Sequence, residues 1–313
     1  MRAVSGEGSG VSGGPHRALV RVHPRLARSP RSGFALFTVL WLIVALSAIT
    51  TAALVTARSG RWTTANRIAL RRGRWAADGC LEILLGRVKE GAPLPTLDSV
   101  DLGGGTWCRV RLDDPESRVN VNSAPDAAIA AVLGSDTLAA AVLDWRDPDD
   151  APRDGGAERD WYVLHGRQPP RNGPLASIDE LRLVRGFDSA AVVRAKALLT
   201  VRGPGHIDVN TALAPVLATL PGFTPFVVDN VLERRAGGGS FSDLDALVYA
   251  IPTSARTELL AHYAELRQAT VFTPELVVAH VEGHAPESGA VAQELVTLVP
   301  AGSRLAVVRR EVW

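Results

Sequence analysis

The chain has 313 residues, 46% of them hydrophobic, and a formal net charge of +1. So even a balance gives no support for a nucleic-acid or anionic-surface partner. Setting the N-terminal segments aside leaves about 255 residues, enough for one or two domains with a real core.

Residues 1–33 are basic: Arg2, Arg17, Arg21, Arg25, Arg28 and Arg31 stand against one acid, Glu7. From Phe34 to Ala57 the chain reads FALFTVLWLIVALSAITTAALVTA, 24 residues without a charge, bounded by Arg31 and Arg58. A helix of that length covers roughly 36 Å, enough to cross a hydrocarbon core of about 30 Å with some tilt. The apolar core of a secretory signal is only about 7–15 residues. The segment therefore predicts a membrane-spanning helix. Its far flank is basic too, with Arg58, Arg61, Arg67, Arg71, Arg72 and Arg74 before the first acid, Asp78, so charge counting leaves its orientation open.

Residues 58–90 contain no proline and keep apolar or small residues at Trp62, Ala65, Ile68, Ala69, Trp75, Ala76, Cys80, Ile83 and Leu84, a helical periodicity. Gly91, Pro93 and Pro95 end it. Gly60, Gly73, Gly79 and Gly86 each weaken such a helix by about 1 kcal/mol relative to Ala, which predicts a bend. After a Gly-rich turn at 103–105, Thr106–Leu112 alternates like a strand. Leu276–Val281, Ala290–Val299 and Arg304–Val312 read as three more, with turns at 283–289 and 300–303. The expected body is an antiparallel sheet, 96–112 and 269–313, split by an insertion at 113–268. Cys80 falls on the helix and Cys108 on the first strand; they could pair in an oxidising periplasm, but spacing leaves open whether they meet.

The insertion holds an internal repeat, Val119-Asn120-Val121-Asn122-Ser123-Ala124 and Ile207-Asp208-Val209-Asn210-Thr211-Ala212. Each reads as a short strand running into a helix that Ser123 or Thr211 would cap. A pair of short helices follows each copy, Asp126–Leu133 with Thr137–Trp145, and Ala212–Leu220 with Pro225–Arg235. Ser177-Ile178-Asp179-Glu180 is a capping box and Ser242-Asp243-Leu244 a further helix start. The insertion is thus expected to be all-α, built of helix–hairpin–helix-like units.

Two stretches could carry function. Leu220-Pro221-Gly222-Phe223-Thr224 is similar to the hairpin of competence-type DNA receptors, where two glycines let bare N–H groups approach a phosphate. Here Thr224 replaces the second glycine, and residues 113–268 hold 22 acids against 15 bases, the wrong sign for phosphate. Nucleic acid is not expected as a partner, and a membrane-anchored DNA-binding protein is the alternative reading. The stronger stretch is Asp144–Asp160, DWRDPDDAPRDGGAERD, with seven acids and three arginines. Carboxylates crowded on a Gly/Pro-rich loop suit a hard, oxygen-seeking cation. Asp147, Asp149 and Glu158 fall at places one, three and twelve of an EF-hand count, but Pro152 stands at the invariant glycine and excludes a true EF-hand. His280-Val281-Glu282-Gly283-His284 reads as a strand end, since zinc-protease chemistry needs its three groups on one helix face. No nucleophile or phosphate-loop motif is present, so an enzyme is not expected.

A basic leader, then Gly33, then an aromatic Phe34 opening an apolar helix resembles the processing site of type IV pilins and type II secretion pseudopilins. That resemblance implies cleavage after Gly33 by a prepilin peptidase, methylation, a mature chain starting at Phe34 and an N-terminus on the cytoplasmic side of the inner membrane. The leader is long for the family, which implies a true start after Met1. The usual fifth mature residue is Glu, and here it is Thr38, a departure characteristic of the protein K branch of the minor pseudopilins. The succession Trp75-Ala76-Ala77-Asp78-Gly79, Leu143-Asp144-Trp145-Arg146-Asp147, Gly156-Ala157-Glu158, Tyr162, Asn172-Gly173-Pro174-Leu175 and Glu180-Leu181 resembles the same branch. It implies an α/β (α+β) fold: a pilin-like long helix, membrane-spanning over 34–57 and periplasmic over 58–95, packed on the sheet, with the inserted α-helical domain binding calcium. Asp144, Asp147, Asp149 and Glu158 are the ligands it points to, and minor pseudopilins I and J the partners, in a complex at the pseudopilus tip.

Overall fold

The computed structural model describes residues 32–88, 97–286, 289, 291–302 and 304–312. It divides into two compact units, 1–62 and 63–313. In the first, the described residues belong to helix α1 (Ser32–Arg87), whose apolar side chains from Phe34 to Val55 are exposed throughout. Among the described residues α1 is the one helix long and apolar enough to cross a membrane. Phe34, the expected mature start, lies on α1 and is exposed; residues 1–31 lie outside the described residues.

In the second unit, the later turns of α1 pack on an antiparallel sheet of order β1-β2-β7-β8-β9, formed by Leu97–Gly103, Thr106–Asp113, Val277–His284, Val291–Ala301 and Arg304–Val312. Ala76, Ala77, Cys80, Leu81 and Leu84 meet Val110, Val281, Val296 and Leu298 in one hydrophobic core. Cys80 and Cys108 form a disulfide with Cα atoms 6.0 Å apart, bonding helix to sheet. Its loop spans 28 residues, and closing a loop of that size restrains the unfolded chain by about 3–4 kcal/mol on the chain-entropy account. Arg310 on β9 bonds both Asp78 of α1 and the buried Glu294 of β8.

The sheet has one strand more than the sequence pattern indicates. Leu97–Gly103 (LDSVDLG) is exposed at five of seven positions, so it lacks the alternation that marks a half-buried strand. β7 also runs through Gly283 to His284 rather than turning at 283.

The segment between β2 and β7 is built around a second core. A 3-10 turn (Pro115–Ser117) leads to β3 (Val119–Asn120), α2 (Asp126–Leu133), α3 (Asp136–Arg146), α4 (Arg159–Leu164), a 3-10 turn (Ile178–Arg182), α5 (Ser189–Leu198) and β4 (Leu199–Thr200). Then come β5 (Ile207–Asp208), α6 (Ala214–Leu217), α7 (Pro225–Ala236), α8 (Leu244–Ala250), α9 (Thr253–Ala261), α10 (Tyr263–Ala269) and β6 (Thr270–Val271). The repeat is structural as well as sequential. β3 pairs in parallel with β4, and β5 with β6. Asn122 exchanges hydrogen bonds with the backbone of Leu175, and Asn210 does so with that of Phe241. Arg146 donates to Ala124 O, and Arg235 to Ala212 O.

The caps differ from the sequence reading. α2 starts after Pro125 and α6 after Leu213, neither with a side-chain cap, so Ser123 and Thr211 lie in turns ahead of the helices. Each donates its N–H back to the residue three before it, Asn120 O or Asp208 O. Ser135, Asp188, Thr224 and Asp243 cap α3, α5, α7 and α8, and the Ser177–Glu180 capping box is formed.

Candidate metal centre

The acidic loop joins α3 to α4. Asp144 lies in the last turn of α3 and is fully buried beside Trp145; Asp147 is the residue that ends the helix. Glu158 opens α4 without capping it. The loop between them folds back so that one carboxylate oxygen each of Asp144, Asp147 and Glu158 lies within 4.8 Å of the others. Gly156 makes that fold possible, since a Cβ there would overlap the Asp144 carboxylate. Arg185 fixes the turn by donating to Gly156 O at 2.6 Å, and its backbone N–H donates to the hydroxyl of buried Tyr162 at 2.9 Å.

Electrostatically the cluster is under-compensated. Arg153 donates to Asp144 at 2.9 Å and to Asp147, and its backbone N–H also reaches Asp144. Yet Asp147 Oδ1 and both oxygens of Glu158 are buried with no hydrogen-bond partner. Burial, reinforced by Asp144, Asp147, Asp150 and Asp149, pushes the Glu158 carboxyl up to about 7. Three carboxylates, two of them with orphaned oxygens, and one arginine fit an oxygen-seeking cation that takes over part of Arg153's role.

Asp149 stands apart from the three. It is exposed, and its Oδ1 accepts the N–H of Ala151, closing a local turn. Asn172 comes closer than its sequence position indicates. Held at φ 51°, it donates to Asp149 O at 3.1 Å and to Asp150 Oδ1 at 3.0 Å, while its own Oδ1 is buried and unpartnered. The Asn-Gly-Pro-Leu run was visible in the sequence, but nothing there tied it to the acidic loop.

The candidate DNA hairpin is closed off. Gly222 has the left-handed φ of 73° a tight turn needs, but a Cβ there would sit 3.1 Å from Glu258 O and 3.3 Å from His262, both of the α9 segment. Thr224 caps α7, and Leu220 and Phe223 are buried. The Cβ side of this glycine is thus covered by the α9 segment.

A family model described as Type II secretion system (T2SS), protein K, matches residues 128–204, which include the acidic loop. Type II secretion system protein K of Pseudomonas aeruginosa is 26% identical over 175 residues, 50% of this chain and 53% of that relative, so the match spans about half the length of the curated relative. A chain of the crystal structure of the GspK-GspI-GspJ complex from the type 2 secretion system of enterotoxigenic Escherichia coli superposes with a TM-score of 0.58 at 16% identity, covering 82% of this chain and 99% of that one. That likeness shows the fold: a long N-terminal helix, an antiparallel sheet and further helices. The resemblance carried by the order of motifs is thus the one that the family model and the curated relative also find, to type II secretion protein K, and the solved structure shares the fold.

Proposed function

We propose that the protein is a non-enzymatic minor pseudopilin of a type II secretion system, anchored by one pass in the bacterial inner membrane with its bulk in the periplasm. There it helps to initiate the pseudopilus and the export of folded proteins, as a complex with minor pseudopilins I and J at the tip. The observation that carries this reading is Thr38. Its hydroxyl is spent on its own helix, at 3.1 Å from Phe34 O and 2.9 Å from Ala35 O, and it has no charge. An intramembrane carboxylate needs a partner, in pilins the ammonium of a neighbouring subunit. A subunit without that carboxylate makes no demand for a neighbour above it, which suits the end of a fibre. The inserted domain is too bulky to stack inside a shaft. Calcium held by Asp144, Asp147 and Glu158 is part of the same reading, and the disulfide fits an oxidising compartment.

Mass spectrometry of the protein from cells tests the anchor. The expected mass begins at a methylated Phe34, and Gly33→Leu leaves the leader attached. An unprocessed wild-type chain contradicts the reading.

A further inference from the structure

A second group of ligating side chains lies away from the acidic loop, where the inserted domain joins the sheet. Glu116 belongs to the 3-10 turn that follows β2, Glu275 precedes β7, and His206 precedes β5. One ligand atom of each lies within 4.8 Å of the other two. Glu116 is 2% exposed; its Oε2 accepts the backbone N–H of Glu275 at 2.7 Å, while Oε1 is buried with no partner. His206 Nδ1 is 3.1 Å from Glu275 Oε2. Burial, against the Glu275 N–H bond, pushes the Glu116 carboxyl up to about 7, and Asp114 and Glu275 add to the push. Asp208, buried with Oδ2 unpartnered, adds negative charge close to Asp114.

We propose that Glu116, His206 and Glu275 form a site for a borderline divalent cation of the zinc class, which fastens the inserted helical domain to the two strands it interrupts. The donor set decides the class. One imidazole and two carboxylates suit zinc and its neighbours, whereas calcium takes six to eight oxygens. Ligand bonds of about 2.0–2.2 Å require the three groups to close in, and the two that must move, His206 and Glu275, have side chains 36% and 55% exposed. The deeply buried Glu116 supplies the fixed point. Three protein ligands leave a fourth position for water.

The test uses the full chain in detergent micelles, titrated calorimetrically with zinc chloride in excess calcium, with cobalt(II) absorption as a reporter of ligation. One zinc per chain is expected, with visible cobalt bands. His206→Gln, on a partly exposed side chain, is expected to weaken zinc at least tenfold, since even a second-layer change costs about 10–100-fold. Glu116→Gln is expected to do the same, and Glu158→Gln in the acidic loop to leave zinc binding unchanged. No zinc binding by the wild-type chain, or binding that Glu158→Gln removes and His206→Gln spares, overturns the proposal.

Discussion

At Asp208 the second repeat carries a carboxylate where the first carries the amide of Asn120. Asn120 donates to Gly203 O at 2.7 Å, and its Oδ1 accepts the N–H of Asn122. Asp208 keeps the second bond, with Asn210 N–H at 2.8 Å, but its Oδ2 is buried and unpartnered. Burial raises its carboxyl from 3.8 to about 6. The folded state then holds a proton that the unfolded state releases, so this group's contribution is complete below pH 3.8 and is lost as pH rises to about 6. The loss is on the order of 3 kcal/mol by linkage. Asp208→Asn is expected to stabilise the protein at pH 7 by about 1–3 kcal/mol and to flatten the pH dependence between about 4 and 6, read by denaturant unfolding. An unchanged slope contradicts this account of Asp208.

The acidic loop makes a separate prediction. A ligand at one hundred times its Kd adds about 2.7 kcal/mol of stability, or roughly 5–10 °C in Tm for a unit of this size. Calcium is expected to raise Tm on that scale in the wild-type chain and in Asp149→Asn, and to do so little or not at all in Glu158→Gln, as read by circular dichroism. Asp144, Asp147 and Glu158 were legible because they are close in sequence and acid-rich. Asp149, which the family resemblance groups with them, stands apart in the fold because its carboxylate accepts the N–H of Ala151 and closes its own turn. Asn172 reaches the loop from 23 residues away, through contacts that no local pattern encodes.

Among the elements, the crossing of α1 over β7 shows what residue patterns convey poorly. In sequence Gly73 reads as a helix weakener. In the fold it lies against Gly283, where an added Cβ would fall on Gly73 O, and a Cβ on Gly73 would be 3.0 Å from Gly283 O. Two bare backbones thus let helix and sheet approach closely enough for Cys80 to reach Cys108. Gly283→Ala is expected to cost roughly 1–3 kcal/mol, lowering Tm by several degrees. A variant as stable as wild type contradicts the close-approach reading. The long strands β7 to β9 and the capping box were readable because β-branched runs and cap chemistry are local signals. β1 and α4 were not, the first being nearly all exposed and the second hidden at the end of the charged run. The repeat explains the acidic loop's place. Arginine and turn are 22 residues apart in one copy and 23 in the other, but the asparagine-to-loop bridges span 53 and 31. The extra length lies between α3 and Leu175, so the candidate metal loop is an addition to the first copy alone.

At the scale of the molecule, a helix able to cross a membrane, a disulfide-braced sheet and a repeat-built helical insertion are the parts that the proposed reading combines into a tip subunit, one with neighbours below it and no demand for one above. Composition and charge gave no support for a nucleic-acid partner, and the order of motifs pointed to the resemblance to type II secretion protein K, because those signals span the whole chain. The most direct measurement is immunogold electron microscopy of pseudopili assembled in cells, with an epitope on the exposed face of the inserted domain. Gold confined to one end of each filament is the predicted result, and gold spaced along the shaft would contradict it.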